Sequence, residues 1–344
     1  MTFLKTSLIQ KCMLFLMAMM LSISAMAVGF NQTQYLANQG HASAQYNLGI
    51  MYYDGEGIRQ DYAKAFEWYQ KAANQGHAGA QHNLGIMYYE SKGVRQDYAK
   101  AFEWTQKSAN QGHADAQYNL GIMYSGGKGV RQYYAKAFEW TQKAAIQGYD
   151  IAQNNMGLMY FEGKGVRQDK AKAFEWYQKA ALQGNDKSQY NLGTLYVEGE
   201  GVRQDYAKAF EWTQKSALQC YDVAQYNLGI MYFEGKGVRQ DYAKAFEWTQ
   251  KSALQGYNTA QALIGVMYSE GKGVRQDYAK SFEWAQKAAL QGDSTAQYNL
   301  GAMYYNGKGV RQNRKTAKEW FGKACDNGAQ DGCDSYKILN QIAY

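Results

Sequence analysis

Apolar residues recur along this chain with two nested periods. Within short segments they follow the 3.6-residue period of an amphipathic helix. Ala44, Leu48, Met51 and Tyr52 fall at i, i+4, i+7 and i+8, and Ala65, Trp68 and Ala72 share one face of the next segment. Between segments the pattern returns every 36 residues: Trp68, Trp104, Trp140, Trp176, Trp212, Trp248, Trp284 and Trp320 keep that step, as do Gly49, Gly85, Gly121, Gly157, Gly193, Gly229, Gly265 and Gly301. Each repeat therefore holds a first helix from Ala42 to Tyr53, a Gly-rich loop from Asp54 to Asp61, a second helix from Tyr62 to Gln75 and a turn at Gly76. One such hairpin cannot bury its apolar face alone, so eight in tandem predict an all-α array in which neighbours supply the core.

Local signals support the helices. Asp61 stands where a side chain caps the second helix, and Gly76 where a left-handed residue ends it. Glu67 and Lys71 lie four apart on the polar face, a pair kept in every repeat down to Glu319 and Lys323. From the fourth repeat on, Asp150 with Gln153, Asp186 with Gln189, Asp222 with Gln225, Asn258 with Gln261 and Ser294 with Gln297 predict capping boxes on the first helices.

Composition narrows the class. The 344 residues include 36 Gly and no Pro, with 46% hydrophobic and 19% charged residues and a mean hydropathy of −0.60. Neither a disordered polyelectrolyte nor a polytopic membrane protein fits these values. Residues 1–27 read as an export signal: Lys5 and Lys11 precede an apolar stretch from Cys12 to Ile23, and Ala25-Met26-Ala27 offers a cleavage site. The mature chain is expected from Val28. The rival reading is an uncleaved anchor from Cys12 to Phe30. Cleavage removes two lysines and lowers the formal charge from +7 to +5.

The run Ala-Gln-Tyr-Asn-Leu-Gly-Ile-Met-Tyr, Gly-Glu-Gly-Ile-Arg-Gln-Asp and Lys-Ala-Phe-Glu-Trp-Tyr-Gln-Lys-Ala-Ala, from Ala44 to Ala73, resembles the Sel-one-like repeat (SLR), a relative of the tetratricopeptide repeat. The resemblance spans residues 41–328. It implies a right-handed superhelical solenoid of αα-hairpins, with first helices lining a concave side and an adaptor role in assembling other proteins. Residues 28–40 then read as a capping half-repeat. Residues 329–344 read as a capping helix, in which Lys337 and Asn340 replace Gly49 and Tyr52, while Lys318 replaces Phe66. Polar substitutions are what the end of a stacked array requires. Cysteine-rich bacterial members of the family imply a disulfide between Cys325 and Cys333; Cys220, at a Gly76-equivalent position, is left as a buried or unpaired thiol.

The candidate binding residues lie on the first helices, away from the hairpin core. Tyr46, Tyr118, Tyr190, Tyr226 and Tyr298 share one position, Ile86 and Ile122 a second, Phe161 and Phe233 a third. A helix apolar all round is either packed on both sides or faces a partner. These residues are thus groove lining for a peptide or protein, or rings packed between repeats. Asn119, Asn191 and Asn227 belong to a recurring asparagine that either pairs with an extended ligand's backbone or bonds between helices. Loop residues Arg59, Arg95, Arg131, Arg167, Arg203, Arg239, Arg275 and Arg311, with lysines beside them, offer a basic edge; acidic neighbours such as Glu90 and Glu162 favour an internally paired one, and no nucleic-acid partner is expected.

Catalysis has little support. Some cysteine-rich relatives are described as β-lactam-binding, and Ser125-Gly-Gly-Lys128 and Ser269-Glu-Gly-Lys272 match Ser-x-x-Lys, but both read as loop segments without companion motifs. His41, His77 and His113 occupy equivalent positions, too far apart to share a metal ion. The expectation is a monomeric, cofactor-free, exported scaffold for protein or peptide, periplasmic or secreted, without membrane insertion after cleavage. A cell-wall enzyme and a secreted factor engaging host proteins are the alternatives.

Overall fold

The computed structural model describes residues 29–342, so the export signal falls outside it. Among the described residues the backbone forms helices and loops and no strand. It divides after Gln168 into two compact units. The first unit holds α1 (29–38), α2 (Ala42–Asp54), α3 (Tyr62–Asn74), α4 (Ala78–Glu90), α5 (Tyr98–Asn110), α6 (Ala114–Gly126), α7 (Tyr134–Ile146) and α8 (Asp150–Glu162). The second holds α9 (Lys170–Leu182), α10 (Asp186–Glu198), α11 (Tyr206–Leu218), α12 (Asp222–Glu234), α13 (Tyr242–Leu254), α14 (Asn258–Glu270), α15 (Tyr278–Leu290), α16 (Ser294–Asn306), α17 (Arg314–Asp326) and α18 (Gln330–Ile342). Inside each unit, successive helices pack on one another as stacked hairpins.

The predicted apolar face is the core. Ala80, Leu84, Met87 and Tyr88 of α4 are buried, as are Ala65, Tyr69 and Ala72 of α3. Full burial of one such leucine contributes roughly 1.5–3 kcal/mol. The Phe66 ring meets Tyr88 of the next repeat edge-on at 5.3 Å, and Phe102–Tyr124, Phe210–Tyr232 and Phe246–Tyr268 repeat that contact. On the second helix the buried position is that of Tyr69, one residue beyond the expected Trp68. Trp68 is half-buried, its ring lying under the Lys71 ammonium at 3.8 Å. The lysine of each expected Glu–Lys pair covers the tryptophan three residues earlier, as at Lys143 over Trp140 and Lys251 over Trp248, both 3.9 Å. Ion pairs accompany this at Glu103–Lys107 and Glu247–Lys251, both 2.8 Å.

Where the second helix has an aspartate at its N-cap it is capped as expected: Asp61 Oδ1 accepts the Lys64 amide at 3.0 Å, and Asp97, Asp205 and Asp277 act alike, whereas α7 starts at Tyr133 without a side-chain cap. The expected capping boxes on the first helices do not form. The first helices start one residue earlier than that motif needs, with Tyr149, Asn185, Tyr221, Tyr257 and Asp293 at their N-caps. Gln153 is therefore the fourth helical residue, out of reach of the cap, and its side chain turns inward to donate to the Ala145 carbonyl at 3.1 Å. Gln225 shows the full arrangement: its Nε2 donates to the carbonyl of Ala217 at 3.2 Å, and its Oε1 accepts Gln255 Nε2 at 2.8 Å. Buried glutamines thus tie the end of one second helix to the end of the next.

Helix α1 covers the first repeat through Ala37, which is buried, and Phe30, whose ring lies 6.0 Å from Tyr52. At the far end α18 packs on α17, and Cys325 is disulfide-bonded to Cys333. Lys318 Nζ donates to Asn340 Oδ1 where other repeats place a Phe–Tyr edge contact. Cys220 is exposed and unpaired, and it holds φ at +66° where Gly256 and Gly292 hold +99° and +90°.

Candidate functional site

The side chains singled out on the first helices divide into three groups by what they touch. Tyr46, Tyr118, Tyr190 and Tyr226 are half-buried wedges against the next repeat, and Tyr298 is half-buried against the second helix of its own. Tyr46 stacks on His77 at 4.5 Å, Tyr118 meets Tyr149 at 5.5 Å, Tyr190 meets Tyr221 at 5.6 Å, Tyr226 meets Tyr257 at 5.4 Å, and Tyr298 lies 5.5 Å from Phe321. Burial raises the pKa of the Tyr46, Tyr118 and Tyr226 phenols, so all three stay neutral well above physiological pH.

The asparagines complete that wedge. Asn155 Nδ2 donates to the Tyr118 hydroxyl at 3.0 Å, and Asn227 Nδ2 to the Tyr190 hydroxyl at 3.1 Å. The inter-repeat bond, one of the two readings left open, is thus the one formed at Asn227. Asn119 and Asn299 follow repeats in which the tyrosine is replaced by His82 and Ala262, and among the described residues neither amide has a partner. His82 is buried against His113, ring centres 4.9 Å apart, and its Nδ1 has no hydrogen-bond partner among the described residues. Burial pushes its pKa down to about 4.

The position of Ile86 and Ile122 is the open one. Ile122 is 39% exposed and Leu158 40% exposed. Beside them run clefts between successive first helices, each reaching down to the residue equivalent to Tyr69. Gly85 and Thr105 floor a cleft of about 220 Å³ lined by Ile86, Asn119 and Ile122; Thr213 floors one of about 270 Å³ lined by Tyr190, Asn227 and Ile230. The glycine is required: a Cβ on Gly85 would lie 2.4 Å from Thr105 Oγ1. Phe233 packs edge-on against Tyr242 of its own repeat at 5.1 Å, and Phe161 is half-buried.

The loop arginines are exposed, and the lysines beside them are internally engaged. Lys92 pairs with Glu90 at 2.8 Å and lies 5.8 Å from the centre of the Tyr62 ring, in the repeat before. Lys236 pairs with Glu234 at 2.7 Å, and Lys308 lies over Tyr278 at 5.3 Å. One repeat reverses the device: Lys170 takes the tyrosine's place and Glu200 the lysine's, and the two form an ion pair. The two Ser-x-x-Lys serines lie in the last turns of α6 and α14, not in the loops. Ser269 Oγ donates to the Val266 carbonyl while Lys272 pairs with Glu270, so serine and lysine do not act on each other.

Sequence reasoning missed one exposed feature. Leu182, Leu218, Leu254 and Leu290 end second helices of the second unit with 65–72% of their surface exposed, and Ile146 does so in the first. Their 36-residue spacing carried the signal. No described helix is long and apolar enough to cross a membrane, and no cluster of potential metal ligands occurs among the described residues.

The Sel1 repeat family model matches residues 42–77, 78–113, 114–149, 150–185, 186–219, 222–257, 258–293 and 294–328. The crystal structure of c5321, a protective antigen present in uropathogenic Escherichia coli strains and displaying an SLR fold, is 38% identical, with a TM-score of 0.82, over 90% of this chain and 67% of that one. A Sel1 repeat protein from Oxalobacter formigenes is 32% identical, with a TM-score of 0.69, over 92% of this chain and 93% of that one. Comparison with curated proteins gives no match. With eight consecutive matches falling on the hairpins described above, this chain belongs to the Sel1 repeat family.

Proposed function

We propose that this protein is an exported, non-catalytic scaffold that binds another protein or a peptide along the exposed face of its first helices. Sel1 repeat proteins are in general protein–protein interaction scaffolds, and a protective antigen among the structural neighbours agrees with an exported position. The observation that carries the reading is the open aliphatic position: Ile122 and Leu158 remain about two-fifths exposed on helices whose other faces are already packed. Stranded apolar groups beside clefts of a few hundred Å³ are suited to receiving side chains of a partner.

The test is a photo-crosslinking amino acid at Ile122, expressed in the native envelope, with Leu254 as the comparison site. A discrete adduct from Ile122 supports the scaffold reading. An adduct from Leu254 alone moves the interface to the ends of the second helices. Intact mass of the exported protein tests the compartment: a chain starting at Val28 is expected, and a retained Met1 counts against export.

A further inference from the structure

The repeats are near-copies, so each is a control for the others, and the seventh departs from them around a single cleft. Ala262 stands where Tyr118 and Tyr190 stand and Ala285 where Thr105 and Thr213 stand, while Ser269, like Ser125 of the third repeat, stands where Tyr89 and Phe233 stand. On the neighbouring helix Ala302 replaces Ile122 and Ile230. All four truncations line one cleft between α14, α15 and α16, whose volume is about 370 Å³, against about 220, 120 and 270 Å³ for those floored by Thr105, Thr141 and Thr213.

What is missing defines what fits. In the third and fifth repeats the tyrosine ring packs against Tyr149 or Tyr221 and its hydroxyl accepts the amide of Asn155 or Asn227. In the seventh the ring is gone, yet the amide remains: Asn299 lines the cleft and has no partner among the described residues. The aromatic that packed against such a ring is gone as well, since Asp293 occupies the place of Tyr149 and Tyr221. Val266, Ala285, Ala302 and Met303 supply apolar contact for a ring, and Asn299 a donor for its tip.

We propose that this cleft is the seat of a tyrosine side chain supplied by the bound polypeptide, which restores the ring and hydroxyl that the protein carries itself in neighbouring repeats. The inference rests on the scaffold reading and names the anchor residue of its partner. An apolar cavity of roughly 150 Å³ suffices to hold benzene, so the space is ample for a phenol.

The test titrates the full chain with p-cresol, the tyrosine side chain as a free molecule, and with toluene, followed by ligand-observed NMR. Saturable p-cresol binding is expected in the roughly millimolar range suited to so small a ligand. Binding should fall at least tenfold in Ala262→Tyr, which refills the cleft with the chain's own residue. Asn299→Leu adopts the residue found at the equivalent Leu263, so its fold is secure, and it should erase a preference for p-cresol over toluene of roughly three- to tenfold. Binding that survives Ala262→Tyr in a variant with native melting, or absence of saturable binding to the parent, overturns the tyrosine seat. A failed titration beside a discrete Ile122 adduct leaves the scaffold reading standing; loss of both overturns the reading on which the seat rests.

Discussion

His82 makes acid sensitivity a local property of the second repeat. It occupies the tyrosine position of the first helix, buried against His113, and its Nδ1 has no partner among the described residues. Burial lowers its pKa to about 4, helped by the neighbouring His113 and opposed by Asp115. An unfolded histidine titrates near 6.5. Because the folded value is the lower one, protonation favours the open state: the contribution is complete above about pH 6.5 and is lost as pH falls toward 4. Linkage between those values gives a loss of about 2 kcal/mol at pH 5, or roughly a thirtyfold increase in the open population. His77, whose pKa burial also lowers, acts in the same direction. The assay is amide hydrogen exchange at pH 7 and pH 5, corrected for intrinsic rates and read on α4. Protection there should fall by that factor in the parent and by much less in His82→Tyr, which restores the residue of the equivalent positions. An α4 opening free energy that does not change with pH, or an equal drop in His82→Tyr, refutes the reasoning.

Cys220→Gly should raise stability by about 1 kcal/mol, because it relieves a left-handed backbone carried by a side chain; a urea midpoint that fails to rise contradicts this. Gln225→Leu removes two bonds between neighbouring helices and should cost about 1–3 kcal/mol, seen as lost protection at the ends of α11 and α13. Unchanged exchange there would show the glutamine relay to be energetically silent. Reducing the Cys325–Cys333 bridge, which closes an eight-residue separation, should weaken α18 by roughly 2.5 kcal/mol. Thiol counting on unreduced protein starting at Val28 should find one thiol, and three would refute the bridge.

The 36-residue period and the hairpin were legible because packing and capping reuse the same residues in every repeat: Leu48, Ala65, Asp61 and Gly76 each act as their types predict. What escaped were side chains whose role depends on the next repeat. Gln153 sits three residues after an aspartate, which in one dimension matches a capping box; only the helix start at Asp150 shows that it faces inward. Lys318 and Asn340 each read as a polar cap residue, and only their meeting shows that they replace the Phe102–Tyr124 type of contact as a pair. The asparagine position allowed two readings because its partner, the tyrosine hydroxyl, lies 37 residues away in sequence. The open aliphatic position was recognisable as apolar, but its exposure follows from how closely successive first helices approach.

The reversed pair Lys170–Glu200 has a consequence for how such a gene can change length. Elsewhere each junction offers the same tyrosine to the same lysine, so a whole repeat can be excised or duplicated by slippage and the new junction still closes. An excision with one end between the two residues sets Lys170 against another lysine, or leaves Glu200 facing a tyrosine ring with no cation to place over it. The two residues are inherited together or not at all, and they divide an otherwise interchangeable series into stretches that cannot be freely spliced.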